Sequence, residues 1–117
     1  KLRMWMSCVV ALVVVLPASA QEISQFGALG SGNVTIKKIR IGWDADQFAI
    51  ETKEPIVNPA GCLLPDGYIA HATQKGYKEF YAAALSSMYS GRPIYVAISD
   101  LDCVANRPRI MGLHVSP

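Results

Sequence analysis

The sequence is poor in the residues that do chemistry. It has two histidines, His71 and His114, and its charged residues amount to 17% of the chain, which leaves little from which to assemble a proton-transfer site. No serine or cysteine sits in a nucleophile elbow, there is no His-Glu-x-x-His, and no glycine-rich phosphate loop follows a strand. These absences disfavour a serine or cysteine hydrolase, a zinc peptidase and a nucleotide-binding enzyme. A zinc site needs more ligands than His71 and His114 supply. The Asp-x-Asp pairs Asp44/Asp46 and Asp100/Asp102 lie in turns, where aspartate is common, without the further oxygen ligands that calcium takes. Neither a metal nor a cofactor is therefore expected. Lysine and arginine form no cluster, which leaves no electrostatic footprint for nucleic acid or an anionic membrane. A binding module is the expectation, not an enzyme.

One long apolar run is present. Val9–Leu16 follows Lys1 and Arg3 and is closed by Pro17 and Ala18-Ser19-Ala20. That layout predicts a signal peptide over residues 1–20, cleaved before Gln21, and a secreted or periplasmic (bacterial export) destination. The run is shorter than the roughly 20 apolar residues of a membrane helix, so no span is expected after cleavage. Cys8 would leave with the peptide. Cys62 and Cys103 remain, and an even number in an exported chain argues for a disulfide; the alternative is two unpaired buried thiols. Taking Lys1 and Arg3 from eleven basic residues leaves nine against nine acidic ones. The chain's net charge of +2 thus belongs to the leader.

Residues 21–32 carry glycine and serine without periodicity and predict a flexible arm, with room for a short strand at Ile23–Phe26. The domain proper is expected over 33–117. "NVTIKKIRIGW" (33–43) reads as a long strand whose apolar residues change parity, which places a bulge at Lys37-Lys38. The Asp44-Ala45-Asp46 turn and the alternating Phe48, Ile50 and Thr52 complete a hairpin. A third strand is expected from Cys62-Leu63-Leu64, interrupted by Pro65-Asp66-Gly67 and resuming at Tyr68–Ala70. Thr73 can then cap a helix whose apolar stripe is Tyr77, Phe80, Tyr81, Ala84, Leu85 and Met88. Tyr81 and Tyr89 are the aromatics expected to reach the surface. Gly91 and Pro93 end the helix, and strands follow at 94–98 and 109–115, with a loop between them.

Three strands, one helix and two strands cannot make an evenly covered open sheet, because one helix covers one face. A sheet curled into a partly open barrel with the helix plugging one end solves this. The predicted fold is mainly β with one helix, a five-stranded OB-fold-like barrel in the order β-β-β-α-β-β. The rival is a small α+β sandwich with the helix on an open sheet. Some OB-folds bind oligosaccharides, which suits a neutral exported domain.

The segments "VTIKKIRIG", "FAIET" and "GC", followed by "GYKEFYAAALSSMYSGRPIYVAI", resemble the B subunits of subtilase cytotoxin and the related pertussis-like and typhoid toxins. The similarity spans roughly residues 31–98 and rests on the joint order of its motifs. It is closer to small exported proteins described as subtilase-cytotoxin-subunit-B-like than to a proven toxin. The resemblance implies an OB-fold subunit, often a pentameric homo-oligomer, that binds cell-surface glycans and carries an enzymatic A subunit. Its sugar site maps onto Ser31 and Lys53. The chain departs from the family at Ala49, where the second-strand cysteine is missing, so Cys62 lacks its usual partner, and in having no cysteine-bearing C-terminal tail. Beside the toxin-like binding subunit stands a second expectation: a stand-alone periplasmic OB-fold protein that binds or inhibits another exported protein.

Overall fold

The computed structural model describes residues 10, 28–42 and 44–117. The expected cleavage site, the start of the arm with its Ile23–Phe26 strand, Trp43 and all of the expected signal peptide but Val10 lie outside the described residues. Among the described residues the protein is mainly β with a single helix. Its elements are β1 (Ala28–Val34), β2 (Ile36–Ile41), β3 (Gln47–Thr52), β4 (Tyr68–His71), α1 (Tyr77–Ser90), β5 (Ile94–Val104) and β6 (Arg107–Val115).

The six strands form one sheet in the order β1-β5-β6-β4-β3-β2. This corrects the expectation of a five-stranded barrel: no ladder joins β1 to β2, and the hydrogen-bonded sheet is not closed. The extra strand arises because the expected first strand is two. Val34 pairs with Ile94 of β5, whereas Ile36 pairs with Thr52 of β3. Only Thr35 lies between them, and the chain changes partner there. Lys53 N–H donates to Thr35 O (2.9 Å), and Thr35 N–H donates to a Glu54 carboxylate oxygen (2.7 Å). That amide bond holds the Glu54 carboxyl below its ordinary range.

The remaining differences have similar causes. Ala28–Gly32, expected in the flexible arm, belong to β1 because the free edge of β5 supplies backbone partners that a glycine-rich segment does not advertise. The bulge between Ile36 and Lys38 and the β2–β3 hairpin are as predicted. The third strand is only Tyr68–His71; Cys62–Leu64 is not strand. The helix starts at Tyr77, after Gly76 in the left-handed region (φ 83°), and no side chain caps it. Thr73 cannot cap from where it lies, with its hydroxyl against His71 Nδ1 at 2.9 Å. Gly91 (φ 68°) ends the helix as expected. The expected loop before the last strand is mostly strand: β5 runs on to Val104 through a bulge where Ser99 Oγ donates to Asp102 (2.9 Å).

The core lies between the helix and one sheet face. Phe48, Ile50, Tyr68, Ala70, Ile94, Val96, Ile98 and Ile110 are buried with Ala84 of the helix. Tyr77 and Tyr81 pack their rings 5.4 Å from that of Phe48, so Tyr81 is half-buried and Tyr89, 82% exposed, is the surface aromatic. Tyr68 is buried with its hydroxyl accepting Val57 N–H (2.8 Å), and burial pushes its pKa up. The parallel pairing of β4 with β6 is short, with Ile69 opposite Arg109. The Gln74 side chain extends it, accepting His71 N–H (2.9 Å) and donating to Ile110 O (2.8 Å).

Candidate functional site

Alternation along β3 turns Phe48 and Ile50 toward the helix and Ala49 to the opposite face. On that face Arg40, Ala49, Ile69 and Arg109 stand in register across β2, β3, β4 and β6. Ala49 and Ile69 are only 5% and 2% exposed although the helix lies on the other side. They floor a cleft of about 230 Å³, walled by Arg40 and Gly42 on one side, Gln47 at the end, and Ala105 and Arg107 on the other.

The second wall is the tip of the β5–β6 hairpin, where Ala105 (φ 48°) and Asn106 (φ 62°) are both left-handed. Alanine in that region is strained by roughly 1 kcal/mol or more, and this strained residue lines the cleft. The hairpin is tied back three times. Cys62 and Cys103 form a disulfide, Leu64 N–H donates to Asn106 O (2.8 Å), and Arg107 is paired with Asp66.

Asp66 organises both walls. Its Oδ1 accepts from Arg107 Nε at 2.6 Å and from Arg40 Nη2 at 3.1 Å, and its Oδ2 accepts from Arg107 Nη2 at 3.2 Å. The bidentate Arg107 pair lowers the Asp66 pKa most, partial burial opposes this, and Arg40 lowers it further. Arg40 Nε lies 3.4 Å from Glu51 Oε2, but its N–H is not aimed at that oxygen and has no hydrogen-bond partner. Gly67 makes the arrangement possible: a methyl there would meet Ile50 O at 2.9 Å and Arg40 Nη2 at 3.1 Å. The Pro65-Asp66-Gly67 turn therefore sets the carboxylate between two guanidinium groups.

The residues singled out by resemblance lie elsewhere. Ser31 is in β1, where the ladder shifts between Gly30 and Asn33; its hydroxyl accepts Val96 N–H (3.0 Å) and donates to Gly32 O (2.7 Å). Lys53 is exposed just after β3. No hydrogen bond or ion pair joins the two among the described residues. His114 stacks on Tyr95 at 5.0 Å, while His71 contacts Thr73. Among the described residues no group of three or more His, Cys, Asp or Glu could hold a metal ion, and no helix is long and apolar enough to cross a membrane.

The sequence reading missed Arg40, Gln47, Asp66 and Arg107 as a group. Arg40 carried one usable signal, a charge alternating with Ile39 and Ile41. The cleft lining combines the Arg40 and Arg107 guanidinium groups, the Gln47 amide and an apolar floor. No protein-family model, curated protein or solved structure matches the chain.

Proposed function

We propose that the protein is an exported, non-enzymatic recognition subunit that binds carbohydrate in the cleft between β2–β4 and the β5–β6 hairpin. The observation that carries this is the cleft's make-up: guanidinium and amide groups around the buried Ala49 and Ile69. Sugars present hydroxyls at their rim and C–H groups on their faces, and such a lining complements both. The winding supports an OB-like reading as well. β1 and β2 are consecutive halves of one bent strand, which sets the two sheet edges side by side in the chain, and the face of the second and third barrel strands is where OB-folds bind oligosaccharides. In that reading the cleft, rather than Ser31 and Lys53, takes the sugar.

Single shallow sites of this size bind weakly, and several displayed together gain avidity of about 10²–10⁴-fold. A small ring, with an enzymatic A subunit as its passenger, is the assembly that the toxin-like resemblance adds. The competing reading, a stand-alone periplasmic protein that binds or inhibits another exported protein, draws on Leu63 and Leu101. These are 80% and 81% exposed on the two sides of the disulfide. Light scattering combined with a glycan array separates the two: a defined oligomer with glycan signals is the expected outcome. A monomer that binds no glycan and captures an exported protein would replace this reading with the second.

A further inference from the structure

We infer that the Cys62–Cys103 disulfide is a redox latch on the cleft: reduction frees the wall that carries Ala105 and Arg107 while the sheet stays folded, and reoxidation closes it again. Release of a bound sugar on reduction rests on the carbohydrate reading above; the movement of the wall does not.

The two halves of the bond are held very differently. Cys62 is 6% exposed and sits in a loop closed by hydrogen bonds of its own. The Asn58 side chain accepts Cys62 N–H (2.8 Å) and donates to Cys62 O (2.9 Å). Just before it, Val57 N–H donates to the buried Tyr68 hydroxyl (2.8 Å). Cys103 is exposed and belongs to the hairpin tip. The β5–β6 ladder reaches Ile98–Ile110, breaks, and resumes only at Cys103–Pro108 and Val104–Arg107. In the break the chain turns on itself, with the Leu101 and Asp102 amides donating to Ser99 Oγ (3.2 and 3.1 Å). That interruption is a hinge. Pro108 is buried and marks where the fixed part of β6 begins, so the movable unit is Cys103–Arg107.

Without the sulfur bond, this unit is tied to the Cys62 loop by Leu64 N–H on Asn106 O and by the Asp66–Arg107 pair. An ion pair whose carboxylate is half open to solvent holds weakly. Ala105, left-handed at φ 48°, relaxes once the tether is cut. Ala105 and Arg107 then leave the cleft, while Arg40, Ala49 and Ile69 stay in place on β2, β3 and β4.

A dithiol supplies the two electrons. Its thiolate attacks Cys103 Sγ, the exposed side; the S–S bond breaks, and Cys62 leaves as a thiolate that takes up a proton. The second thiolate of the reductant then expels Cys103, which is protonated in turn, and the reductant closes its own disulfide. Cys62, still held by Asn58, remains positioned for the reverse reaction.

The test treats the native protein with dithiothreitol, labels it briefly with iodoacetamide and reads each cysteine by peptide mass, with amide exchange measured in parallel. Cys103 should be alkylated about tenfold faster than Cys62, and the Leu64 amide, whose acceptor departs with the tip, should exchange about tenfold faster than before reduction. The Phe48 and Ile50 amides should keep their protection. Equal alkylation of the two cysteines, or lost protection at Phe48 and Ile50, would show that reduction unfolds the domain and would overturn the latch. An unchanged Leu64 amide would overturn it as well. Glycan-array binding should weaken about tenfold on reduction, the loss of one or two hydrogen bonds from the wall, and return on reoxidation. A positive array indifferent to reduction would overturn the inference and leave the carbohydrate reading in place. An array negative in both states would remove the carbohydrate reading alone, since labelling and exchange decide the latch.

Discussion

Asp66 shows how a single side chain can set a surface. Its carboxylate stands between Arg40 and Arg107, so the geometry of both cleft walls depends on its charge. Its pKa is held below the ordinary 3.8, and the sign of the pH effect follows. The group adds stability that is present above the unfolded-state value and is lost as pH falls through the folded-state one. The side chain is half exposed, so solvent screening limits the contribution to about 1 kcal/mol or less. Urea midpoints recorded across the acid range should therefore fall less steeply for Asp66→Asn than for the unaltered protein. Identical slopes would show that the pair does not couple to folding. Little of this was legible beforehand. Cys62 and Cys103 could be paired because an even number of cysteines, in a chain whose opening reads as a signal peptide, points to a disulfide. Asp66 read as turn chemistry, and its two partners come from strands 26 and 41 residues away. Thr73 failed as a cap for a related reason: His71, two residues earlier, claims its hydroxyl.

At the scale of elements, the β5–β6 hairpin is the wall that most needs support. It projects beyond its ladder partners and ends in two left-handed residues. The disulfide closes a separation of 41 residues, for which the chain-entropy model gives about 4 kcal/mol. The double variant Cys62→Ser/Cys103→Ser should lose stability of that order in denaturant unfolding. Its Ala105–Arg107 amides should also exchange faster than those of β3, because Leu64–Asn106 and Asp66–Arg107 are then the remaining ties. Uniform loss of protection across the sheet would contradict the local role. Elements were legible where local pattern and tertiary pairing agree. The parity change at Lys37-Lys38 gave the bulge, and Phe48/Ile50 alternation gave β3. β1 was hidden because glycine and serine carry no strand signal, and because β5 supplies the pairing. β5 itself was cut short in the reading, since Ser99–Asp102 has loop composition; there the side chains of Ser99 and Asp102 stabilise a bulge within the strand.

At the scale of the molecule, the helix seals one face of the sheet while the other face carries the cleft. The expectation of a mainly β domain with one helix came from element order and from the inability of one helix to cover two faces. The strand number was off by one because the partner change at Thr35 has no sequence marker. The candidate site escaped for a different reason: its walls converge from β2, β3, the turn before β4 and the final hairpin, and only folding brings them together. The function proposed above places carbohydrate recognition in this cleft. Comparing glycan-array binding of Ala49→Leu with that of Ser31→Ala and Lys53→Ala tests it most directly, with native unfolding transitions as the control for folding. Leucine at position 49 fills the floor without altering a charge, and it should abolish the signal, while the other two variants retain it. Binding that survives Ala49→Leu and is lost in Ser31→Ala or Lys53→Ala would contradict the claim.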